Sequence, residues 1–271
     1  MTVPRQVGRV RGAVLAACGG WLAGCTPGPI DAIDLDPTYD HLLAHWSFDD
    51  GTGMMVADSS GRGHDGVIIA GGWITAAHFG GGLHLEGGTA MAPIRSGVSV
   101  AGFPPATDSS WTVAGWVRTP RINTGPNYAT IVSTESLGGG GWQLNLRMDL
   151  DAVPPDVYYQ FAYYTGPDRG NNVVHNCIAC VGAPDEWVHL AGVVDRTAAT
   201  LSFYKNGVLD GPPEPATAPI KAGSNDLYFG RWPSDDTRNL TGELDDFVIY
   251  NRALSKDEIR ALVNAPLINP R

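Results

Sequence analysis

The feature of this chain that most constrains its fold is a long series of short segments with strand character, separated by turns. In WTVAGWVRT (111–119), VYYQFAYY (157–164) and GELDDFVIY (242–250), aromatic and β-branched residues recur with a period of two. This period places alternate side chains on opposite faces of a strand. Asn206-Gly207, between two further segments, is a strong signal for a two-residue hairpin. About a dozen such strands predict an all-β fold, a sandwich of two antiparallel sheets.

The composition supports many tight turns and limits the partners. The 271 residues include 35 glycines and 20 prolines, and only 17% are charged. Glycine supplies positive φ and proline fixes φ, as turns between short strands require. The formal net charge of −10 repels phosphate backbones, so we expect no nucleic acid partner. The same repulsion disfavours strongly anionic glycans unless a cation bridges the two.

One helix is predicted, near the C terminus. Ser255 and Glu258 form a capping box, in which each side chain satisfies an otherwise unpaired backbone N–H group. Pro266 follows the end of this helix. No linker interrupts the strand series, so we predict one domain over residues 41–263 and a C-terminal tail over 264–271.

The first 25 residues have the pattern of a secretory signal peptide. Arg5, Arg9 and Arg11 precede the apolar run AVLAACGGWLAG (13–24), which ends at Cys25. A positive segment followed by about 7–15 apolar residues is typical of such signals. The run is too short to span a bilayer, which needs about 20 residues. A buried apolar helix is the alternative interpretation.

The end of the run, LAGC (22–25), resembles the lipobox of bacterial lipoproteins. The resemblance implies that residues 1–25 contain a lipoprotein signal peptide and that Cys25 carries a lipid. Cys18 follows a similar pattern, but the apolar stretch before it is too short. Residues 26–40 then form a flexible tether. We therefore expect an exported, membrane-anchored lipoprotein that faces the periplasm or the cell surface.

Two cysteines remain in the domain, Cys177 and Cys180. In an oxidising compartment, a single C-x-x-C pair favours a small loop disulfide. Zinc would need two more ligands, for which His175 and His189 are the nearby candidates. A redox role and a pair of free thiols are also compatible with this spacing.

Seven segments resemble the laminin-G-like, concanavalin A-like jelly-roll family of bacterial exoproteins. They are HWSFDDGTG (45–53), DSSGRGHDG (58–66), GGGLHLEGG (80–88), WTVAGWVRT (111–119), EWVHLAGVVD (186–195), LSFYKNG (201–207) and GELDDFVIYNRALSKDEIRAL (242–262). They follow the family's order and cover nearly all of the predicted domain. The resemblance implies a jelly-roll topology and a carbohydrate-binding, adhesive or accessory role. Some related sandwiches are glycoside hydrolases or lyases.

A structural calcium ion is a further implication of the resemblance, with Asp49, Asp58 and Asp246 as the predicted ligands. If the first and last strands pair, these carboxylates approach one another, with Asp50 and Asp245 as alternatives. Carboxylate and backbone carbonyl oxygens are the ligands that calcium prefers. The alternative is that the aspartates cap turns and pair with arginines.

Aromatic side chains are the candidates for binding a sugar, whose apolar C–H faces stack on rings. The predicted ligand-binding residues are Tyr159, Tyr163, Trp142 and Trp232. The strand at 157–164 carries a second aromatic row, Tyr158 and Tyr164, on its other face. One row could be core and the other surface, because tyrosine also packs inside sandwiches.

No catalytic residue is assigned. The carboxylate pattern Glu-x-Asp-x-Glu of related glycosidases is absent, ELDD (243–246) has a different spacing, and no G-x-S-x-G or H-E-x-x-H motif occurs. We therefore predict a monomeric, lipid-anchored extracytoplasmic module that binds carbohydrate and touches the membrane only through its lipid. The alternatives are a module that binds a surface protein and a diverged polysaccharide-cleaving enzyme.

Overall fold

In the computed structural model, strands of 2–9 residues form two antiparallel sheets that pack face to face. The structure describes residues 41–87, 95–104, 108–120, 128–135, 139–149, 156–166, 170–177, 185–232 and 238–267. The strands of this part are β1 (Leu42–Trp46), β2 (Met55–Val56), β3 (Gly66–Ala70), β4 (Gly72–Ile74), β5 (Gly82–Leu85), β6 (Gly97–Val100), β7 (Trp111–Arg118), β8 (Tyr128–Ser133), β9 (Trp142–Asp149), β10 (Asp156–Tyr164), β11 (Asn172–Cys177), β12 (Trp187–Asp195), β13 (Thr200–Lys205), β14 (Val208–Leu209), β15 (Glu214–Pro215), β16 (Leu227–Phe229) and β17 (Gly242–Tyr250).

The two sheets, which we name A and B, divide the strands nearly equally. Sheet A has the order β14-β13-β12-β7-β17-β5-β4, with β1 also beside β17 and β15 also beside β13. Sheet B has the order β11-β10-β9-β8-β16-β6-β3-β2. The predicted all-β, two-sheet antiparallel sandwich is confirmed.

β17 has two partners in succession along one of its edges. Leu244 pairs with Leu83 of β5, and Phe247 pairs with Trp46 of β1. Between them the register shifts by a bulge at Asp246, whose φ is +49°. The first and last strands therefore pair, as the family resemblance implies.

The core lies between the sheets and is rich in aromatic rings. The ring of Phe229 lies 5.0 Å from that of Trp46 and 5.3 Å from that of Phe247, both edge to face. Each ring of this size that leaves water contributes roughly 2–3 kcal/mol. A Cβ at Gly115 would lie 2.4 Å from Phe247, so that strand position must be glycine for the ring to fit.

Helix α1 (Lys256–Asn264) covers one end of the outer face of sheet A. Its N terminus has the predicted capping box between Ser255 and Glu258. Ile259 and Leu262 are its buried residues, and they pack with Tyr250 and other side chains on the outer face of sheet A. The predicted terminal helix is confirmed.

The predictions for the N terminus fall outside the described residues, including the lipid on Cys25 and the tether. Cys180 also lies outside them, whereas Cys177 is fully buried at the end of β11. The disulfide between the two cysteines stays a prediction. No helix in the described part of the chain is long and apolar enough to cross a membrane.

Candidate functional site

The outer face of sheet B carries a row of amide and hydroxyl side chains across four neighbouring strands. Thr130 of β8 pairs with Asn145 of β9, which pairs with Gln160 of β10, which pairs with Asn176 of β11. Gln160 Nε2 donates a hydrogen bond to Asn176 Oδ1 at 2.7 Å. We name the outer surface of β8–β11 the amide face.

A second row on the same face combines aromatic rings with arginine. Tyr128 and Tyr158 flank Arg147 in register. The Arg147 guanidinium carbon lies 3.7 Å from the centre of the Tyr128 ring and 5.8 Å from that of Tyr158. Arg238 also lies over Tyr128, at 4.9 Å, and over Trp232, at 4.3 Å. Rings beside hydrogen-bonding side chains are the usual composition of a polar ligand site.

One polar side chain of the amide face has no hydrogen-bond partner although it is buried. Asn145 is 1% exposed, and neither its Oδ1 nor its Nδ2 is hydrogen-bonded. The Nε of Arg147, two residues along the same face, is also buried without a partner. Buried polar groups are nearly always paired in proteins, so an unpaired amide calls for an explanation.

Three of the four predicted ligand-binding aromatics belong to the core. Tyr159, Tyr163 and Trp142 are each at most 2% exposed and pack in the cluster between the sheets. They cannot present a ring face to a ligand in this structure, so the prediction is wrong for these three residues. The physical reason is the register of β9 and β10, which turns the row of Tyr159 inward and the row of Tyr158 outward.

The fourth predicted residue, Trp232, is also buried, at 4% exposed, and lies under Arg238 at the edge of the amide face. Sequence reasoning missed Asn145, Arg147 and Arg238. A signal for the first two was present, because WQLNLRM alternates large apolar residues with Gln143, Asn145 and Arg147. That alternation marks one polar face of β9.

The outer face of sheet A carries a different cluster, built from histidines and aspartates. His45 Nε2 of β1 lies 2.6 Å from Asp246 Oδ1 at the bulge of β17. The His78 ring stacks on Trp116 at 3.4 Å between centroids, and the ring of His189 lies 5.2 Å from Trp116. We name these residues, with Asp245, the histidine cluster.

Burial controls the protonation of this cluster. It lowers the pKa of His189 to about 3, and the neighbouring His78 acts in the same direction. Burial also raises the pKa of Asp245 to about 8, assisted by the negative charges of Asp246 and Asp49 and opposed by a hydrogen bond from the Phe79 N–H group. Both groups are therefore neutral near pH 7.

The predicted calcium ligands do not all fit one ion. Asp58 accepts hydrogen bonds from the backbone N–H groups of His45, Ser60 and His64, which engage both of its oxygens. Burial alone would raise the pKa of Asp58, but these bonds hold it below its usual value. Asp58 therefore serves to fix a turn.

Asp49 and Asp246 are a better match for a cation, because both repel the carboxylate of Asp245. Asp245 Oδ1 is buried without a hydrogen-bond partner. Asp49 Oδ1 accepts a hydrogen bond from Gly81 N at 2.7 Å. Among the described residues, however, no three His, Cys, Asp or Glu side chains lie close enough together to hold a metal ion.

An open cleft of about 430 Å³ continues the outer face of sheet A, lined by residues that include His84, Arg118, Asp185 and Glu243. Arg118 forms an ion pair with Glu243, and its guanidinium carbon lies 5.1 Å from the Trp187 ring centre. The arginine that lines this cleft is therefore already neutralised.

A family model described as the concanavalin A-like lectin/glucanases superfamily matches residues 94–260. The chain belongs to this superfamily, which confirms the predicted family. No curated protein matches the sequence.

Solved structures with the same fold are jelly-roll binding domains. The binding domain of Paraclostridial Mosquitocidal Protein 1 has a TM-score of 0.63 and 17% identity over 83% of this chain and 52% of that one. The binding domain of botulinum neurotoxin DC, solved with rat synaptotagmin II, has a TM-score of 0.60 and 18% identity over 83% of this chain and 52% of that one. This chain spans about half the length of these toxin domains.

A third match extends over the whole of the other chain. Domain 4 of AbnA, an extracellular arabinanase from Geobacillus stearothermophilus, solved with arabinotriose, has a TM-score of 0.57 and 19% identity. The match covers 83% of this chain and 98% of that one. At these identities the likeness establishes the fold.

Proposed function

We propose that this protein is an exported, lipid-anchored module that binds carbohydrate on the amide face of sheet B, without catalysis. The single observation that carries the proposal is the partly exposed row of Tyr128, Arg147 and Tyr158, with the exposed amide of Asn176 on the same face. Sugars need both features, because hydroxyl groups pair with amides while the apolar ring face stacks on an aromatic side chain.

The comparison with the arabinanase domain supports a sugar as the ligand, since that domain was solved with arabinotriose. The absence of the carboxylate pattern of related glycosidases supports binding without cleavage. Incubation with polysaccharides followed by a reducing-end assay tests this part. Release of new reducing ends would contradict it.

The binding part is tested with a glycan array, followed by titration calorimetry on the retained sugars. We expect Tyr158→Ala to weaken binding about tenfold, or about 1.4 kcal/mol, because it removes a ring of the amide face. Trp187→Ala is the matched control, as it removes an aromatic ring from the outer face of sheet A. No retained glycan, or equal loss in both variants, would contradict the proposal.

Export and anchoring rest on the sequence of the first 25 residues. Labelling of growing cells with a fatty-acid analogue should mark the wild-type protein and not Cys25→Ala. Cys18→Ala is the matched control, because that cysteine follows the shorter apolar stretch. Label on Cys25→Ala would contradict the anchor.

A structural calcium ion beside Asp245 remains part of the proposal. Its support is the closeness of Asp49 and Asp246 to Asp245, together with the unpaired Asp245 Oδ1; a bound cation would displace the proton that burial and these neighbours keep on Asp245. Asp49 and Asp246 would supply carboxylate oxygens, and the ion would stabilise the bulge of β17.

A protein partner is the second candidate, favoured by an exposed apolar patch at the β2 edge of sheet B. Met54, Met55, Val67 and Ile69 are each more than 40% exposed. Apolar surface of this kind marks interaction sites. If the protein attaches to cells through this patch, Val67→Lys should abolish attachment and leave glycan binding intact.

A further inference from the structure

The outermost strand of sheet B carries a histidine on the side opposite to the amide face. β11 lies at the end of sheet B, and His175 in this strand pairs with Phe161, a core residue of β10. Directly opposed residues of paired strands lie on the same side of a sheet. His175 therefore points into the sandwich and is 5% exposed, whereas the next residue, Asn176, points outward on the amide face.

Both ring nitrogens of His175 lie near carboxylates that belong to sheet A. Nε2 lies 2.8 Å from Asp210 Oδ2, and Nδ1 lies 3.5 Å from Glu214 Oε1. Asp210 follows β14 and its backbone N–H group donates to Phe203 O of β13, while Glu214 is the first residue of β15. The His175 ring also stacks on the Phe203 ring, at 5.8 Å between centroids. One side chain of sheet B thus joins the edges of both sheets, and we name His175, Asp210 and Glu214 the edge cluster.

The two contacts of His175 depend on its protonation in different ways. A neutral imidazole has one N–H group and one lone pair, and an ionised carboxylate only accepts hydrogen bonds. The 2.8 Å contact with Asp210 therefore places the N–H group of the neutral ring on Nε2. Nδ1 then turns its lone pair toward Glu214, and it is buried without a hydrogen bond. Protonation gives Nδ1 an N–H group as well, which makes the contact with Glu214 attractive.

The other groups around the ring do not compete for this proton. On the inward side near His175, β10 contributes aromatic rings, and β13 contributes Phe203. Lys205 lies on the same side of β13 as Phe203, and within the described part of the chain it forms no ion pair with Asp210 or Glu214. The two carboxylates therefore determine which charge state of His175 is favoured.

We infer that the edge cluster regulates the amide face by pH. A proton on His175 holds β11 against sheet A through Glu214, and its loss releases this contact and with it the position of Asn176. Histidine is the side chain whose charge ordinarily changes between about pH 5 and 8. The inference rests on the carbohydrate-binding function proposed above and adds the regulation of that site.

The first test measures hydrogen exchange of the full chain without a sugar. After correction for the intrinsic pH dependence of exchange, the protection of residues 172–177 should fall about two- to fivefold between about pH 5.5 and about pH 8, because a partly exposed ion pair contributes only modestly. β6, which lies inside sheet B, is the reference strand and should keep its protection.

Two variants assign the change to the edge cluster. His175→Gln and Glu214→Gln should each make the protection of β11 independent of pH over this range. Glu214 is partly exposed, so its variant leaves the core intact even if His175→Gln lowers stability. Glu86→Gln is the matched control, because Glu86 is an exposed glutamate beside a histidine of sheet A, and it should behave as the wild type. Equal pH dependence of β11 in wild type and Glu214→Gln would overturn the inference.

The second test titrates the oligosaccharide that the glycan array retains most strongly, by calorimetry at the same two pH values. Its affinity should fall about two- to fivefold toward the alkaline value in the wild type and stay constant in Glu214→Gln. Affinity that does not change with pH would overturn the regulation and leave carbohydrate binding intact. An empty glycan array would overturn the proposed function itself, while the exchange experiment would still decide whether the edge cluster holds β11.

Discussion

The outer faces of the two sheets start from the same architecture and are used in opposite ways. On sheet A, helix α1 and the segment 75–81 cover the strands, and the histidine cluster lies buried beneath. On sheet B, the amide face keeps polar donors and tyrosine rings without an ion pair on Arg147 or Arg238 among the described residues. On sheet A, Arg118 pairs with Glu243, whereas on sheet B Arg147 lies between tyrosine rings.

The two sheets differ in the partners of their outward-facing arginines. Arg118 on sheet A is neutralised by Glu243, its register partner in β17. Arg147 on sheet B has tyrosines as register partners on both sides. A half-buried charge is costly without a partner, and on sheet B the tyrosine rings interact with the Arg147 guanidinium through cation–π contacts.

The largest expected effect is a loss of stability on the outer face of sheet A. Trp116→Ala should lower the free energy of unfolding by about 3–5 kcal/mol, because it removes a 5%-exposed ring that packs with His78 and His189. Glycan affinity should not change. Urea denaturation and calorimetry measure the two quantities, and an unchanged unfolding midpoint would contradict the packing role of the ring.

Calcium tests whether the histidine cluster needs an ion. At a hundredfold excess over its dissociation constant, calcium should raise the free energy of unfolding by about 2.7 kcal/mol, because it binds only the folded state. Thermal melts with calcium and with a chelator measure this shift, and Asp49→Asn should abolish it. Asp50→Asn is the control. Identical wild-type midpoints in calcium and in chelator would exclude the ion.

The pH dependence of stability should report His189. Its pKa is lowered to about 3 in the folded protein, against 6.5 ordinarily. The unfolded chain binds the proton more readily between these values, so its contribution to stability is complete above pH 6.5 and is lost as the pH falls toward 3. Taken alone, His189 contributes a loss that approaches about 1.4 kcal/mol per pH unit. Asp245, whose raised pKa keeps a proton on the folded state, contributes a slope of the opposite sign over this range, so the effect of His189 is read as the difference between the wild type and a variant.

His189→Gln should remove the His189 contribution, so that its profile diverges from that of the wild type as the pH falls, because glutamine does not titrate. His41→Gln is the control, since His41 is exposed. Free energies of unfolding from denaturant titrations at several pH values between about 4 and 7 provide the comparison. A His189→Gln profile parallel to the wild type would show that another group carries the pH dependence.

The smallest effect on stability is expected on the amide face. Asn145→Leu removes a buried amide that makes no hydrogen bond, so the free energy of unfolding should change by less than about 1 kcal/mol. Gln160→Leu is the contrast, because it breaks the bond to Asn176. A large loss of stability in Asn145→Leu would mean that the amide is structural.

The sequence was sufficient for the strands, the terminal helix and the family, because these depend on local patterns. It could not decide which side of β10 faces the core, since both rows of that strand are aromatic. Tyr159 and Tyr158 become different only when β9 pairs alongside and places Leu144 and Leu146 inward. The polar row of β9 indicates which side of that strand faces outward. It assigns the faces of β10 only once the pairing of the two strands is known.

The histidine cluster was beyond sequence reasoning for another reason. His45 and Asp246 are 201 residues apart, and the bulge of β17 brings them into contact. A bulge has no periodic pattern in the sequence that would predict it. The pattern of β7 identifies Trp116 only as part of a predicted strand. The sequence marks the aspartates only as one acidic group. The strand register of the structure is needed to separate Asp58, which fixes a turn, from Asp245, which belongs to the histidine cluster.

The position of β17 has a consequence for how the chain folds. The last strand lies inside sheet A, between β7 on one side and β5 and β1 on the other. The centre of that sheet therefore cannot close until the final residues are available, and its contacts join parts of the chain that are far apart. Such topologies fold in milliseconds to seconds. A chain threaded unfolded through a narrow pore would keep sheet A open throughout the passage and complete it on the far side.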